Sequence, residues 1–110
     1  MEQTTVTVLP DRDGQRVVRC AGEFDFNTIA PLQAACDTAV TAAGVEHLLL
    51  DVRGVTFGDS TFLNLLLTLC RAHELRLVGP LPRQLARLLA VTGADQVFTI
   101  EDATADETAE

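Results

Sequence analysis

One short segment of the 110-residue chain combines residue types that could carry a phosphoryl group. In Gly58-Asp59-Ser60-Thr61, a serine hydroxyl follows a carboxylate directly, at the predicted start of a helix. The N-terminus of a helix favours negative charge, so it is a suitable place for a phosphate. A phosphate on Ser60 would add about −1.5 to −2 charges and would repel Asp59 and the earlier Asp25. The alternative, that Ser60 only caps the helix, remains open at this point.

The same tripeptide, Gly58-Asp59-Ser60, resembles the nucleophile block of small serine esterases, which require a general base. The only histidines are His47 and His73. His47 begins a predicted strand and His73 follows the helix, so both are expected at the end of the sheet opposite Ser60. The chain also contains no glycine-rich phosphate-binding motif. We therefore expect no catalytic residues and no enzymatic activity.

The chain is predicted to alternate strands and helices in the order ββαβαβαβ, which is typical of one α/β domain. Strands are expected near residues 4–9, 16–21, 47–52, 75–78 and 97–100, and helices near 28–44, 60–72 and 82–92. We expect a mixed, mostly parallel sheet covered by helices, and a polar loop at residues 22–25. The loops after the parallel strands lie at one edge of such a sheet. If their strands are neighbours, Asp25 and Asp59 should therefore converge near Ser60.

Composition excludes several classes of partner. The net charge is −8, whereas nucleic acids and anionic membranes bind clustered cations. No apolar run is long enough to span a membrane, and residues 1–5 do not resemble a signal peptide, so we expect a cytoplasmic protein. Residues 102–110 are predicted to be a disordered acidic tail, which leaves residues 1–101 as the domain.

The three cysteines are Cys20, Cys36 and Cys70, and they are far apart in the sequence. None belongs to a metal-ligand motif, so no metal site is predicted. The simplest interpretation is that they are three small buried side chains in a reducing compartment.

Three segments in this order resemble landmarks of the STAS domain, and more narrowly of bacterial anti-sigma factor antagonists. They are the Gly22-Glu23-Phe24-Asp25 segment before a helix, residues 55–61 after a leucine-rich strand that ends in Asp51, and residues 88–98. The resemblance covers residues 4–100. It implies that Ser60 is the phosphorylated residue, that Asp59 and Asp25 are the acidic residues beside it, and that Thr61 is the neighbouring hydroxyl.

The same resemblance implies a partner-switching cycle. The unmodified protein would bind an anti-sigma factor, which is itself an ATP-dependent serine kinase with a histidine-kinase-like ATPase fold. Binding would free the sigma factor for transcription. Phosphorylation of Ser60 by this kinase would then release the antagonist, and a separate phosphatase would reset it. The nucleotide belongs to the kinase, so this chain is expected to need no cofactor.

The sequence departs from the family where Phe62 and Asn64 occupy positions that are usually small. Phe62 is expected to be exposed, either as a partner anchor or as an obstacle to a kinase, because other side chains already form the inward stripe of the helix: Leu63, Leu66, Leu67 and Cys70. The alternative, that Phe62 turns inward and is only part of the core, stays open. Two other functions remain open. One is a STAS module that binds its partner constitutively, with Ser60 only a helix cap. The other is a sensor of a small molecule or nucleotide.

Overall fold

The two longest strands of the sheet are the ones that end at the candidate site. A computed structural model describes residues 4–10, 13–41 and 44–102. Within them the strands are β1 (Thr5–Val8), β2 (Gln15–Phe24), β3 (His47–Gly58), β4 (Glu74–Gly79) and β5 (Thr99–Asp102). They form one sheet in sequence order, in which β1 is antiparallel to β2 and every later pair is parallel. The predicted order of elements and the mixed, mostly parallel sheet are confirmed.

Three helices connect the parallel strands: α1 (Ala30–Thr41), α2 (Ser60–Ala72) and α3 (Arg83–Thr92), with a short 3-10 helix at Ala94–Gln96. Right-handed crossovers between consecutive strands place such helices on the same face of the sheet. One hydrophobic core joins that face to all three helices. Gly93 ends α3 in the left-handed conformation, with φ of 77°, as predicted from the Thr92-Gly93 pair.

The strand β3 is twice as long as predicted, because Arg53-Gly54 continues the strand instead of turning it. Gly54 pairs with Ala21 of β2, and a Cβ on Gly54 would lie 2.8 Å from the Ala21 Cβ. A glycine is therefore needed there to let the two strands approach. The predicted loop at residues 22–25 is likewise wrong, since β2 continues to Phe24 through two register irregularities.

Asp51 is a buried charge on the sheet face opposite the helices, with only 3% of its surface exposed. Arg53 binds both of its carboxylate oxygens, with Nε donating to Oδ1 at 3.0 Å and Nη2 donating to Oδ2 at 2.7 Å. Arg19 adds a further contact, in which its Nε donates to Oδ2 at 3.3 Å. Burial raises the pKa of Asp51, but the hydrogen bonds from Arg53 and Arg19 and the charge of Arg53 outweigh this effect and hold the pKa below its usual value.

The remaining general predictions have mixed outcomes. Asp102 belongs to β5, so the strand enters the segment predicted as a tail, and residues 103–110 lie outside the described part of the chain. Cys20 and Cys36 are buried as predicted, and Cys70 is half-buried. Burial raises the pKa of the Cys36 thiol to about 12, which makes it unreactive. Among the described helices, none is both long enough and apolar enough to cross a membrane.

Candidate functional site

Strand pairing brings the two acidic loops together. β2 and β3 are parallel neighbours, and their last residues, Phe24 and Gly58, are paired. The backbone N–H of Asp59 donates to the carbonyl of Phe24 at 3.3 Å. Asp25 and Asp59 each follow one of these paired residues, so they lie side by side, as predicted. We call this region, with Ser60, the Ser60 edge of the sheet.

Asp59, and not Ser60, is the N-cap of α2. Its Oδ1 accepts hydrogen bonds from the backbone N–H groups of Thr61 at 2.9 Å and Phe62 at 3.1 Å. Its backbone is extended, whereas α2 begins at Ser60. The alternative in which Ser60 serves as the helix cap is therefore wrong. The sequence left this ambiguous because adjacent Asp and Ser are both favoured caps.

The Ser60 side chain is exposed at the first position of the helix. Within residues 4–10, 13–41 and 44–102, its hydroxyl makes no hydrogen bond. Asp59 caps the helix, so the Ser60 hydroxyl makes no structural hydrogen bond that a covalent modification would disrupt. Its neighbour Thr61 is half-buried.

Asp25 begins a tight turn that Thr28 holds closed. The Thr28 N–H donates to the Asp25 carbonyl at 3.1 Å, and the Asp25 N–H donates to Thr28 Oγ1 at 2.9 Å. Asp25 Oδ1 accepts from the Asn27 N–H at 2.9 Å. The Thr28 hydroxyl has one proton to donate, either to the Glu23 carbonyl at 2.9 Å or to Asp25 Oδ1 at 3.1 Å. Asp25 is therefore fixed by the turn, and its carboxylate has a structural role.

Phe62 is fully buried, which contradicts the expectation that it is exposed. Its ring stacks on Phe24, with centroids 5.6 Å apart and an interplanar angle of 24°. Gly58 makes room for it, because a Cβ on Gly58 would lie 2.6 Å from Phe62 Cδ2. The inward stripe of α2 consists of Phe62, Leu63, Leu65, Leu66 and Leu69, one residue out of phase with the predicted one. Phe62 packs beneath the first turn of α2, and it is neither a partner anchor nor an obstacle to a kinase.

Two site features were missed at the sequence level. Gln84 of α3 binds both backbone groups of Gly58, accepting from its N–H at 2.8 Å and donating to its carbonyl at 2.9 Å. This clamp ties α3 to the end of β3. Phe26, at the tip of the Asp25 turn, is 81% exposed. Neither feature has a signal in the sequence, because each depends on hydrogen bonds that form only in the folded chain.

An open groove lies beside Ser60 between α1 and α2. Its volume is about 230 Å³, and it is lined by Ile29, Gln33, Thr61, Asn64, Leu65 and Thr68. The lining contains no ionisable side chain. Across the described residues, no group of three or more His, Cys, Asp or Glu side chains could hold a metal ion.

The histidines lie where the sequence placed them. His73 is the C-cap of α2, and a helix of 13 residues separates it from Ser60 by about 20 Å. His47 begins β3, at the opposite end of that strand from the Ser60 edge. Neither imidazole can reach the Ser60 hydroxyl, so a Ser–His hydrolytic pair is ruled out for this site.

Comparisons with known proteins agree with this architecture. An anti-sigma factor antagonist from Mycobacterium paratuberculosis is 29% identical, with a TM-score of 0.73 over 96% of this chain and 90% of that chain. SpoIIAA in its unphosphorylated form is 21% identical, with a TM-score of 0.74 over 94% of this chain and 92% of that chain. The phosphorylated form of SpoIIAA, from Bacillus, is also 21% identical, with a TM-score of 0.69 over 94% of this chain and 96% of that chain. No curated protein matches the chain significantly.

The sequence model of a family described as "Mlab, STAS domain" matches residues 8–101. That range begins at the end of β1 and reaches into β5, so it includes the Asp25 turn, the Asp59 cap and Ser60. The match covers most of the chain, and the solved structures independently share its fold. This chain therefore belongs to the STAS domain family.

Proposed function

We propose that this chain is an anti-sigma factor antagonist whose binding is controlled by phosphorylation of Ser60. The observation that carries the proposal is the exposed Ser60 hydroxyl, which makes no hydrogen bond within the described residues while Asp59 caps the helix. The partner is an anti-sigma factor that is also an ATP-dependent serine kinase of the histidine-kinase-like ATPase fold. Its capture frees a sigma factor for transcription in the cytoplasm.

The chemistry of the phosphoryl transfer belongs to the partner. A kinase brings its own catalytic base, Mg²⁺ and nucleotide, so the acceptor serine needs accessibility more than activation. Ser60 has that accessibility, and neither histidine is near enough to activate it. The chain accordingly acts as a binding protein with no cofactor of its own, and a separate phosphatase restores the unmodified serine.

A phosphate on Ser60 would find two backbone donors at the start of α2 already in use. Asp59 Oδ1 already accepts the N–H groups of Thr61 and Phe62, which are donors that a helix N-terminus would otherwise offer to an anion. The Asp25 and Asp59 carboxylates repel the new charge. The phosphate therefore remains directed at the partner. A disrupted charged contact at an interface costs about 2–5 kcal/mol, which weakens binding by roughly 30-fold to several thousand-fold.

The relatives support the same assignment. The similar protein from Mycobacterium paratuberculosis is described as an anti-sigma factor antagonist, and it aligns with this chain over nearly its whole length. SpoIIAA is described as an antagonist and was solved in unphosphorylated and phosphorylated forms. Both forms have the fold seen here, which fits a modification that changes the surface without refolding the domain.

A capture experiment with matched variants tests this function. The baits are the wild type, Ser60→Ala, Ser60→Glu and the control Thr61→Ala, with captured proteins identified by mass spectrometry. We expect an anti-sigma factor kinase with the wild type, Ser60→Ala and Thr61→Ala, and its loss with Ser60→Glu. After incubation with that kinase and ATP, only the two variants at Ser60 should remain unphosphorylated. Equal capture by all four baits would instead favour the constitutive STAS module.

A further inference from the structure

Exposed aromatic surface is confined to one place on the described part of this molecule. The chain has five phenylalanines and no tyrosine or tryptophan. Three of them, Phe24, Phe62 and Phe98, are buried. The other two are Phe26, which is 81% exposed, and Phe57, which is 41% exposed. Single exposed apolar residues are common on protein surfaces, but they do not explain why both exposed rings lie in the same place.

Both exposed rings lie at the Ser60 edge. Phe57 is the penultimate residue of β3 and pairs with Glu23 of β2. Phe26 follows the end of β2 by two residues, next to Asp25. Aromatic side chains are enriched among the residues that contribute most to protein interfaces. The two rings therefore occupy the same edge as the serine whose modification is proposed to control binding.

The turn holds Phe26 outward in a defined position. The residues on either side of it, Asp25 and Asn27, are joined by the Asn27 N–H bond to Asp25 Oδ1. Thr28 closes the turn through the Asp25 carbonyl and N–H. The ring itself takes part in none of these bonds. A side chain presented on a fixed backbone loses less conformational entropy on binding than one on a mobile loop.

The chemistry around the rings defines the partner surface. Carboxylates adjoin both of them, with Glu23 paired to Phe57, Asp25 preceding Phe26, and Asp59 beside Asp25. A complementary partner offers an apolar pocket bordered by arginine or lysine, since guanidinium groups also stack on aromatic faces. A second copy of this chain does not fit, because it would bring the same carboxylates and a net charge of −8 to the contact.

We propose that Phe26 is the principal binding anchor for the partner protein and inserts into an apolar pocket with a basic rim, with Phe57 packing beside it. This inference rests on the proposed function and deepens it. Phe26 supplies affinity, whereas Ser60 supplies control, because a phosphate there places new negative charge beside the anchor. The two roles belong to different residues and can be separated by mutation.

The test is a binding titration against purified anti-sigma factor kinases encoded in the same genome. Phe26→Ala should weaken binding at least about 30-fold, the size typical of an interface hot spot. The matched control is Val91→Ala, because Val91 is 72% exposed on α3, about 10 Å along the helix from the Gln84 clamp. Val91→Ala should change the affinity less than about twofold. Phe26→Leu should keep most of the affinity, and Glu23→Gln should slow association.

The melting temperature of Phe26→Ala should match that of the wild type, since the ring is exposed and makes no core contact. If Phe26→Ala binds like the wild type while Ser60→Glu does not bind, the anchor is refuted and the proposed function stands. If no kinase of this class binds the wild type, both fail. A wild-type dimer that dissociates in Phe26→Ala would identify a second copy as the occupant and would also overturn the inference.

Discussion

Removing the Asp59 carboxylate should destabilise the domain, whereas removing the Ser60 hydroxyl should leave its stability nearly unchanged. Asp59 Oδ1 accepts two backbone N–H groups at the start of α2, while Ser60 makes no hydrogen bond to the described residues. Loss of an N-cap costs about 1 kcal/mol, with a range of roughly 0.5–2. Loss of a negative charge near a helix N-terminus adds about 0.3–1 kcal/mol.

Asp59→Ala should therefore lower the free energy of unfolding by about 1–3 kcal/mol, or roughly 4–13 °C in Tm for a domain of this size. Ser60→Ala should stay within about 0.5 kcal/mol of the wild type. Asp59→Asn is the matched control, because the amide oxygen can still accept the two N–H bonds and only the charge is lost. It should fall between the other two variants.

Urea unfolding followed by far-ultraviolet circular dichroism measures all three variants, with the midpoint compared at a constant slope. The role of Asp59 as the cap of α2 would be refuted if Ser60→Ala lost as much stability as Asp59→Ala, because Ser60 would then be the functional cap. A wild-type midpoint for Asp59→Ala would also refute it, because the two N–H bonds would then contribute nothing.

Three further predictions concern the support of the site and the buried charge. Gly58→Ala should lower the free energy of unfolding, measured in urea, by about 1–3 kcal/mol, because the new Cβ would lie 2.6 Å from the buried Phe62 ring. An unchanged urea midpoint would disprove this packing. Gln84→Ala should lower the free energy of unfolding by a similar amount, about 1–3 kcal/mol, because both backbone groups of Gly58 lose their partner. Hydrogen exchange at the Gly58 amide should also accelerate in this variant. Unaltered exchange would contradict the clamp. The pKa of Asp51 is lower in the folded state, so its stabilisation is present above its unfolded pKa of about 3.8 and is lost as the pH falls through the folded value. The stability difference between the wild type and Asp51→Asn should thus shrink in acid, and a constant difference would contradict the role of Arg53.

The order of the elements could be predicted because each element carries its own periodicity. The apolar run at residues 48–50 marks a strand buried on both faces, and Gly93 marks the end of a helix. The convergence of Asp25 and Asp59 followed from the topology alone, because parallel strands end at the same edge of a sheet. These inferences needed no information about side-chain packing.

The orientation of Phe62 could not be predicted in the same way. Apolar residues fill five of the six positions from 62 to 67, so two helical stripes fit the sequence equally well. The choice depends on Gly58, which leaves space for the ring beneath the first turn of α2. That space exists only once β3 and α2 are packed, so it is a property of tertiary structure.

The length of β3 and the exposure of Phe26 were hidden for related reasons. Arg53-Gly54 has the composition of a turn, yet Gly54 is required by the approach of Ala21 on the neighbouring strand. Phe26 is directed outward by a turn whose key hydroxyl, on Thr28, is identified only by its hydrogen bonds. Local propensity cannot predict the approach of Ala21 to Gly54, because the two residues lie on separate strands. It cannot predict the hydrogen bonds of Thr28 either, because they depend on a specific turn geometry.

One titration shows directly whether phosphorylation of Ser60 controls partner binding. The anti-sigma factor kinase is titrated calorimetrically with the unmodified chain and with the chain phosphorylated stoichiometrically on Ser60. Phosphorylation should weaken binding by at least about 30-fold, while the melting temperature of the free domain should change little. Equal affinity of the two forms would contradict this control, and would leave a STAS module that binds its partner without regard to Ser60.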